Sequence, residues 1–175
     1  MNKVLIAIVG PTAIGKTKLA ISLAQKYATE IISADSRQFF KEMSIGTAVP
    51  SLGELNAVKH NFIQHKSVTE TYTVGDFERE AILLLDELFQ HHDVVIMVGG
   101  SGLYIDAVAK GLDEFPKVDV QIRDQLNLEL KEFGITQLQN KLNTLDPTYY
   151  QTVDLNNPHR LIRALEICIG TGKPY

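Results

Sequence analysis

What this chain of 175 residues lacks narrows the field before any motif is read. It carries a single cysteine, Cys168, so no internal disulfide can form, and a reducing cytoplasm is the expected setting. It has no excess of positive charge: 17 Lys and Arg against 21 Asp and Glu leave a net charge of -4. That excludes a global pull toward nucleic acid, and any such partner must be held by a local basic patch. No apolar run reaches the length of a membrane span. The N-terminal run Val4–Val9 is too short, has no small-residue cleavage site after it, and reads as a strand rather than a signal. The five histidines, His60, His65, His91, His92 and His159, show no H-x-x-x-H or cysteine spacing, so no zinc site is expected. Repeats and low-complexity segments are also missing.

What is present centres on Gly10-Pro11-Thr12-Ala13-Ile14-Gly15-Lys16-Thr17, which fits G-x-x-x-x-G-K-[ST]. The apolar run Val4–Val9 precedes it, and Leu19, Ala20, Leu23, Ala24 and Tyr27 follow at helical spacing. A strand, a loop rich in free amides and a helix N-terminus in that order form a cradle for phosphate, of the kind that holds ATP and other nucleotides. Lys16 supplies a point charge to terminal phosphates, and the Thr17 hydroxyl suits the shell of a magnesium ion.

The rest of the chain reads as α/β followed by all-helical texture. Glu30–Ser33 forms a second short strand, and a right-handed parallel crossover places its end on the same sheet edge as the phosphate loop. Phe39 to Tyr72 reads mostly as loop with short helical pieces. Asp76 is the expected N-cap of a helix with Phe77, Ala81, Leu84, Leu85, Leu88 and Phe89 on one face. Val94–Val98 is a third, buried strand, and Gly99-Gly100-Ser101-Gly102 turns it into a helix from Leu103. Beyond Gly111 strands give way to amphipathic helices, with Asp146-Pro147 and Asn157-Pro158 as cap-plus-first-residue signals. The last helix has Leu161, Ile162, Leu165 and Ile169 on its apolar side. The predicted architecture is a P-loop NTPase-like parallel sheet flanked by helices at 1–115, with an appended helical region at 116–175. Three evident strands make a narrow sheet.

Several residues outside the loop could carry chemistry. Asp35 follows the second strand, where a doubly wound sheet keeps its ligands, and is a general base, a magnesium ligand or a turn aspartate. Gly99 to Gly102 offer amides and a hydroxyl, either for further phosphate oxygens or as a tight strand–helix turn. The third strand ends without the metal-binding aspartate of an ordinary ATPase, and Asp93 precedes it at the wrong edge. Arg123, Arg160 and Arg163 are solvated or paired with a neighbour such as Glu166.

The phosphate loop, Ser33–Gln38, Ile45–Ala48, Tyr72–Phe77, Val98–Tyr104 and Arg160–Glu166 together resemble the tRNA dimethylallyltransferase family along the whole chain. The resemblance implies a prenyltransferase that moves a dimethylallyl group from dimethylallyl diphosphate to the N6 amine of the adenosine beside the anticodon. By that resemblance Gly10, Pro11, Thr12, Ala13, Ile14, Gly15, Lys16 and Thr17 hold the diphosphate, with Mg2+ on Thr17. Asp35, Lys16 and Ser101 are then catalytic, with Asp35 taking the proton of the amine. Asp35, Ser36, Arg37, Gln38, Ser101, Arg123, His159, Arg160, Leu161, Ile162 and Arg163 are the expected tRNA contacts, the partner being the anticodon stem-loop. The chain departs from the family pattern at Ile14, Phe39, Phe40, Val49 and Asn61, and Ser101 keeps a hydroxyl where threonine is usual. Family members also continue well beyond Thr171–Pro174. A monomer without membrane contact is expected. A small-molecule kinase and a prenyltransferase acting on free adenine nucleotide are the alternative readings.

Overall fold

A computed structural model of the chain describes residues 2–112, 115 and 117–175. They belong to two compact units, Met1–Leu112 and Asp113–Tyr175. The boundary expected between 115 and 116 involves Pro116, which lies outside the described residues.

The first unit alternates strands and helices: β1 (Val4–Val9), α1 (Lys16–Tyr27), β2 (Ile31–Ser33), α2 (Leu52–Ala57), β3 (His60–Asn61), α3 (Val74–His91), β4 (Val94–Gly99) and α4 (Gly102–Lys110). Its sheet has four strands in the order β1-β4-β2-β3, and every pair is parallel. Side chains alternate across a pleated strand, so β4 feeds two cores. Val95 and Met97 pack with Phe77, Ala81, Leu85 and Leu88 of α3. Ile96 and Val98 pack with Ala20 and Ala24 of α1. The register aligns Val9 with Gly99 and Ser33 with Val98, so β1, β4 and β2 end at one edge of the sheet. The phosphate loop, Asp35 and residues 100–102 follow directly from the strands at that edge.

Two expectations need correction. The sheet has a fourth strand, β3, within the stretch read as loop; it is two half-buried residues long and shows no alternation to read. Asp76 is not the N-cap of α3. Thr73 is, accepting from the Asp76 N–H, while the Asp76 side chain accepts from the Thr73 N–H in a reciprocal capping box.

The second unit contains α5 (Val120–Phe133), α6 (Ile135–Leu145), α7 (Pro147–Tyr150) and α8 (Pro158–Thr171). Leu126, Leu138, Leu142, Leu161, Ile162, Ala164 and Leu165 form its core. The two sequence caps behave as read: Asp146 accepts from the Tyr149 N–H and Asn157 from the Arg160 N–H. Cys168 is buried, which raises its thiol pKa above the ordinary value. Ile169, expected on the apolar side of α8, is 44% exposed.

Candidate functional site

Helix α1 begins after Gly15, whose φ of 95° is a left-handed conformation that glycine adopts without strain. Residues 10–15 thereby join the end of β1 to the start of α1. The Lys16 ammonium folds back onto the loop and donates to the Pro11 carbonyl at 2.7 Å. No protein group among the described residues bonds the Thr17 hydroxyl, which lines the adjacent cleft. Ile14 is 66% exposed.

That cleft, of about 330 Å³, has the phosphate loop on one side and Ser33, Asp35 and Gln38 on another. Ala48, Val49 and Pro50 make an apolar wall, and Val98 and Gly99 reach it from β4. The turn after β2 is pinned to the turn after β4. The Ala34 N–H donates to the Val98 carbonyl at 2.8 Å and the Ser101 N–H to the Ala34 carbonyl at 3.4 Å. The Ser36 N–H donates to Ser101 Oγ at 3.0 Å, and the Ser101 hydroxyl lies 3.2 Å from Ser36 Oγ as donor. Asp35 Oδ1 accepts the Arg37 N–H at 3.1 Å, an aspartate turn. A Cβ built on Gly100 would come 3.5 Å from Asp35 Oδ2 and 3.9 Å from the Gly10 carbonyl, so the turn after β4 meets both the Asp35 carboxylate and the start of the phosphate loop.

The expected contact residues thus separate. Asp35 lines the cleft, whereas Arg37 is exposed outside it. The Ser101 hydroxyl is engaged with Ser36. Gln38 is committed at both ends of its amide: Oε1 accepts from the Ser33 hydroxyl at 3.2 Å, and Nε2 donates to the Thr47 and Ala48 carbonyls at 3.1 and 2.9 Å. It is a strut that holds the apolar wall to the end of β2.

The lining also includes Lys18, Glu54 and His60, none of which the sequence assigns a role at this site. His60 Nδ1–H donates to the Val58 carbonyl at 2.9 Å, and burial lowers the ring pKa below its ordinary value. Only its place beside Asn61 in the family-like pattern hinted at it. Glu54 is the third helical residue of a capping box with Ser51, a motif that reads as structure.

A metal would find little carboxylate here. Among the described residues no cluster of three or more His, Cys, Asp or Glu side chains is placed to hold one. The free Thr17 hydroxyl fits a magnesium ion only if phosphate oxygens and water complete its shell. Asp93 sits at the opposite edge, paired with Lys3 at 3.0 Å.

In the helical unit, Arg123 donates from Nε and Nη2 to the two oxygens of Glu166 at 3.3 and 2.9 Å. Arg163 donates to Glu166 Oε2 at 3.1 Å. Burial pushes the Glu166 carboxyl up, but the two guanidiniums outweigh it and hold its pKa below the ordinary value. His159 and Arg160 are exposed in the first turn of α8. Leu161 and Ile162, also expected to meet tRNA, are 0% and 4% exposed and face the core, so their side chains are not part of any RNA surface.

Residues 38–175 match the IPP transferase family profile. The chain is 65% identical to a tRNA dimethylallyltransferase from Christiangramia forsetii over all of its own length and 58% of that protein's. It is 57% identical to one from Flavobacterium johnsoniae, covering 99% of this chain and 58% of the relative. Among solved structures, a full-length tRNA isopentenylpyrophosphate transferase from Bacillus halodurans aligns with a TM-score of 0.61 and 39% identity, over 100% of this chain and 58% of that one. A eukaryotic dimethylallyltransferase acting on tRNA aligns with a TM-score of 0.80 and 30% identity, over 99% and 43%. The sheet with its phosphate loop is therefore a P-loop NTPase-like fold, and the chain spans about 58% of the bacterial relatives' length.

Proposed function

The chain belongs to the IPP transferase family, and on that premise we propose that the protein of which it is part transfers a dimethylallyl group from its diphosphate to the N6 amine of the adenosine beside the anticodon of tRNA. The observation that carries this reading is the position of Asp35. It lines one cleft with the phosphate loop, while β4 ends at Gly99 and passes through Gly100 and Ser101 into α4 without the metal-binding carboxylate that phosphoryl transfer from ATP would want.

The loop amides and Lys16 take the diphosphate, Lys16 exchanging the Pro11 carbonyl for a phosphate oxygen. Their charge stabilises the leaving group as the bond between allylic carbon and oxygen breaks. A magnesium ion bound at Thr17 would supply further neutralisation of the diphosphate. The apolar wall of Ala48, Val49 and Pro50 keeps water from the allylic cation. As the adenine nitrogen forms its bond to that carbon it sheds a proton, and Asp35 is the base that accepts it. The aspartate turn leaves Asp35 Oδ2 for this task, since the Arg37 N–H occupies only Oδ1.

RNA is held by the helical unit through Arg123, His159, Arg160 and Arg163. Arg160 stands in the first turn of α8, where the helix dipole disfavours a cation by roughly 0.3–1 kcal/mol. An anionic partner offsets that cost, and RNA phosphate supplies it on a protein of net negative charge.

The test is to give full-length protein labelled dimethylallyl diphosphate with tRNA, with AMP, or with neither. Label in tRNA is the expected result. Label in AMP would move the protein to the adenylate-modifying class, and transfer of ATP phosphate to an alcohol would make it a kinase.

A further inference from the structure

We infer that Glu166 is a positioning residue for RNA binding, a buried carboxylate that presets the guanidiniums of Arg123 and Arg163 to grip phosphate. The inference rests on the reading that the helical unit binds RNA. Its own basis is the geometry of the triad. The Glu166 side chain is 8% exposed, whereas those of Arg123 and Arg163 are 51% and 41% exposed. The carboxylate thus lies beneath and the two cations lie above it, facing solvent.

One guanidinium would neutralise one carboxylate. Here Arg123 takes both oxygens from α5, and Arg163 adds a third bond from one turn away on α8. Arg163 also lies over the Phe115 ring at 5.3 Å. The triad keeps a net charge of +1. Arg123 Nη1 and Arg163 Nε and Nη2 have no bond to another described residue, and they are what an RNA phosphate would meet. A buried ion pair is a weak source of stability. A held arginine, by contrast, has already lost the rotamer freedom that binding would otherwise take from it.

Charge and position make opposite predictions for Glu166→Gln in the full-length protein, which makes the test decisive. The substitution raises the local charge by one, so simple electrostatics expects tighter RNA binding with a steeper salt dependence. Loss of positioning gives the reverse: about tenfold weaker binding of an anticodon stem-loop RNA at moderate salt, and a salt slope shallower by about one contact. The KM for RNA should rise while kcat at saturating RNA and the KM for dimethylallyl diphosphate stay put. In an Arg123→Ala/Arg163→Ala background Glu166→Gln should add nothing. Wild-type or tighter binding by folded Glu166→Gln overturns the inference. If that variant does not fold, Glu166→Asp carries the test: it keeps the charge and shortens the reach, and wild-type RNA affinity there also overturns it. No RNA binding by the wild-type protein overturns both readings, whereas loss in Arg163→Ala with wild-type affinity in Glu166→Gln overturns only this one.

Discussion

The α-carbon of Gly99 and the carbonyl of Ala34 are in such close approach that a Cβ on Gly99 would stand 2.1 Å from the Ala34 oxygen. This contact brings the end of β4 against the end of β2, and Ala34 immediately precedes Asp35. Gly99→Ala must therefore push backbone against backbone, which no rotamer change can relieve. Overpacking of this kind costs roughly 1–3 kcal/mol or more, about 2–4 °C of thermal midpoint per kcal/mol for a chain of this size. Prenyl transfer should fall further than the lost stability explains, because the Asp35 turn moves. Gly100→Ala is the control, since its Cβ would sit at an ordinary 3.5 Å from Asp35 Oδ2. Thermal melts and label transfer on both variants check the pair.

Asp35 has both a turn role and the proposed role as base, and an amide separates them. Asn at this position can still accept the Arg37 N–H through its own Oδ1, so the turn survives, but it cannot take a proton. Asp35→Asn should reduce label transfer to tRNA by about 10²–10⁴-fold, the usual worth of a general base, while diphosphate binding by calorimetry stays near wild type. Lys16→Ala should do the opposite and lose the diphosphate. Turnover near wild type in Asp35→Asn would remove the aspartate from the reaction.

Thr73 carries a different kind of signal. It accepts the Asp76 N–H while Asp76 accepts from both the Thr73 N–H and its hydroxyl. Thr73→Ala should cost about 1 kcal/mol, read as a melt lowered by about 2–4 °C, with label transfer at low temperature unchanged.

Thr73 and Asp76 also show where the sequence was and was not legible. Spacing alone located α1, the α3 face and β4, because apolar periodicity reports burial directly. It misplaced the cap of α3, since Thr73 and Asp76 are both good cap residues and only the backbone tells which one stands outside the helix. It missed β3, where two residues join the sheet by backbone bonds that leave no side-chain pattern. In the site, the phosphate loop and Asp35 were readable because each follows a strand at a fixed edge. The strut role of Gln38 was not, since its partners Thr47 and Ala48 are brought to it by a loop with Gly46 and Ala48 at positive φ. Arg123 was paired with Glu166 only as one option, because 43 residues separate them.

His65 sits edge-on to Phe39, Phe62 and Tyr72 with ring centroids 5.2–5.7 Å away. Both its ring nitrogens are buried without a hydrogen-bond partner among the described residues. Burial pushes its pKa below the ordinary 6.5, nearby Lys66 pushes the same way, and Glu80, 3.9 Å from Nε2, only partly opposes them. Glu80 is otherwise held by Lys66 at 3.0 Å and the Tyr72 hydroxyl at 2.8 Å. The folded ring thus resists a proton that the unfolded chain accepts. Stability is full above pH 6.5 and declines as pH falls from there toward the lower folded-state value. His60 shifts in the same direction and adds to the slope. His65→Phe keeps an aromatic ring in the cage and removes the titrating, unpartnered nitrogens. Melts at about pH 7.5 and about pH 5.5 should show a smaller acid-side drop in the variant than in the wild type. An equal drop in the two proteins would mean that His65 reaches a proton in the folded state as easily as in the unfolded one, which its buried nitrogens and the adjacent Lys66 cation argue against.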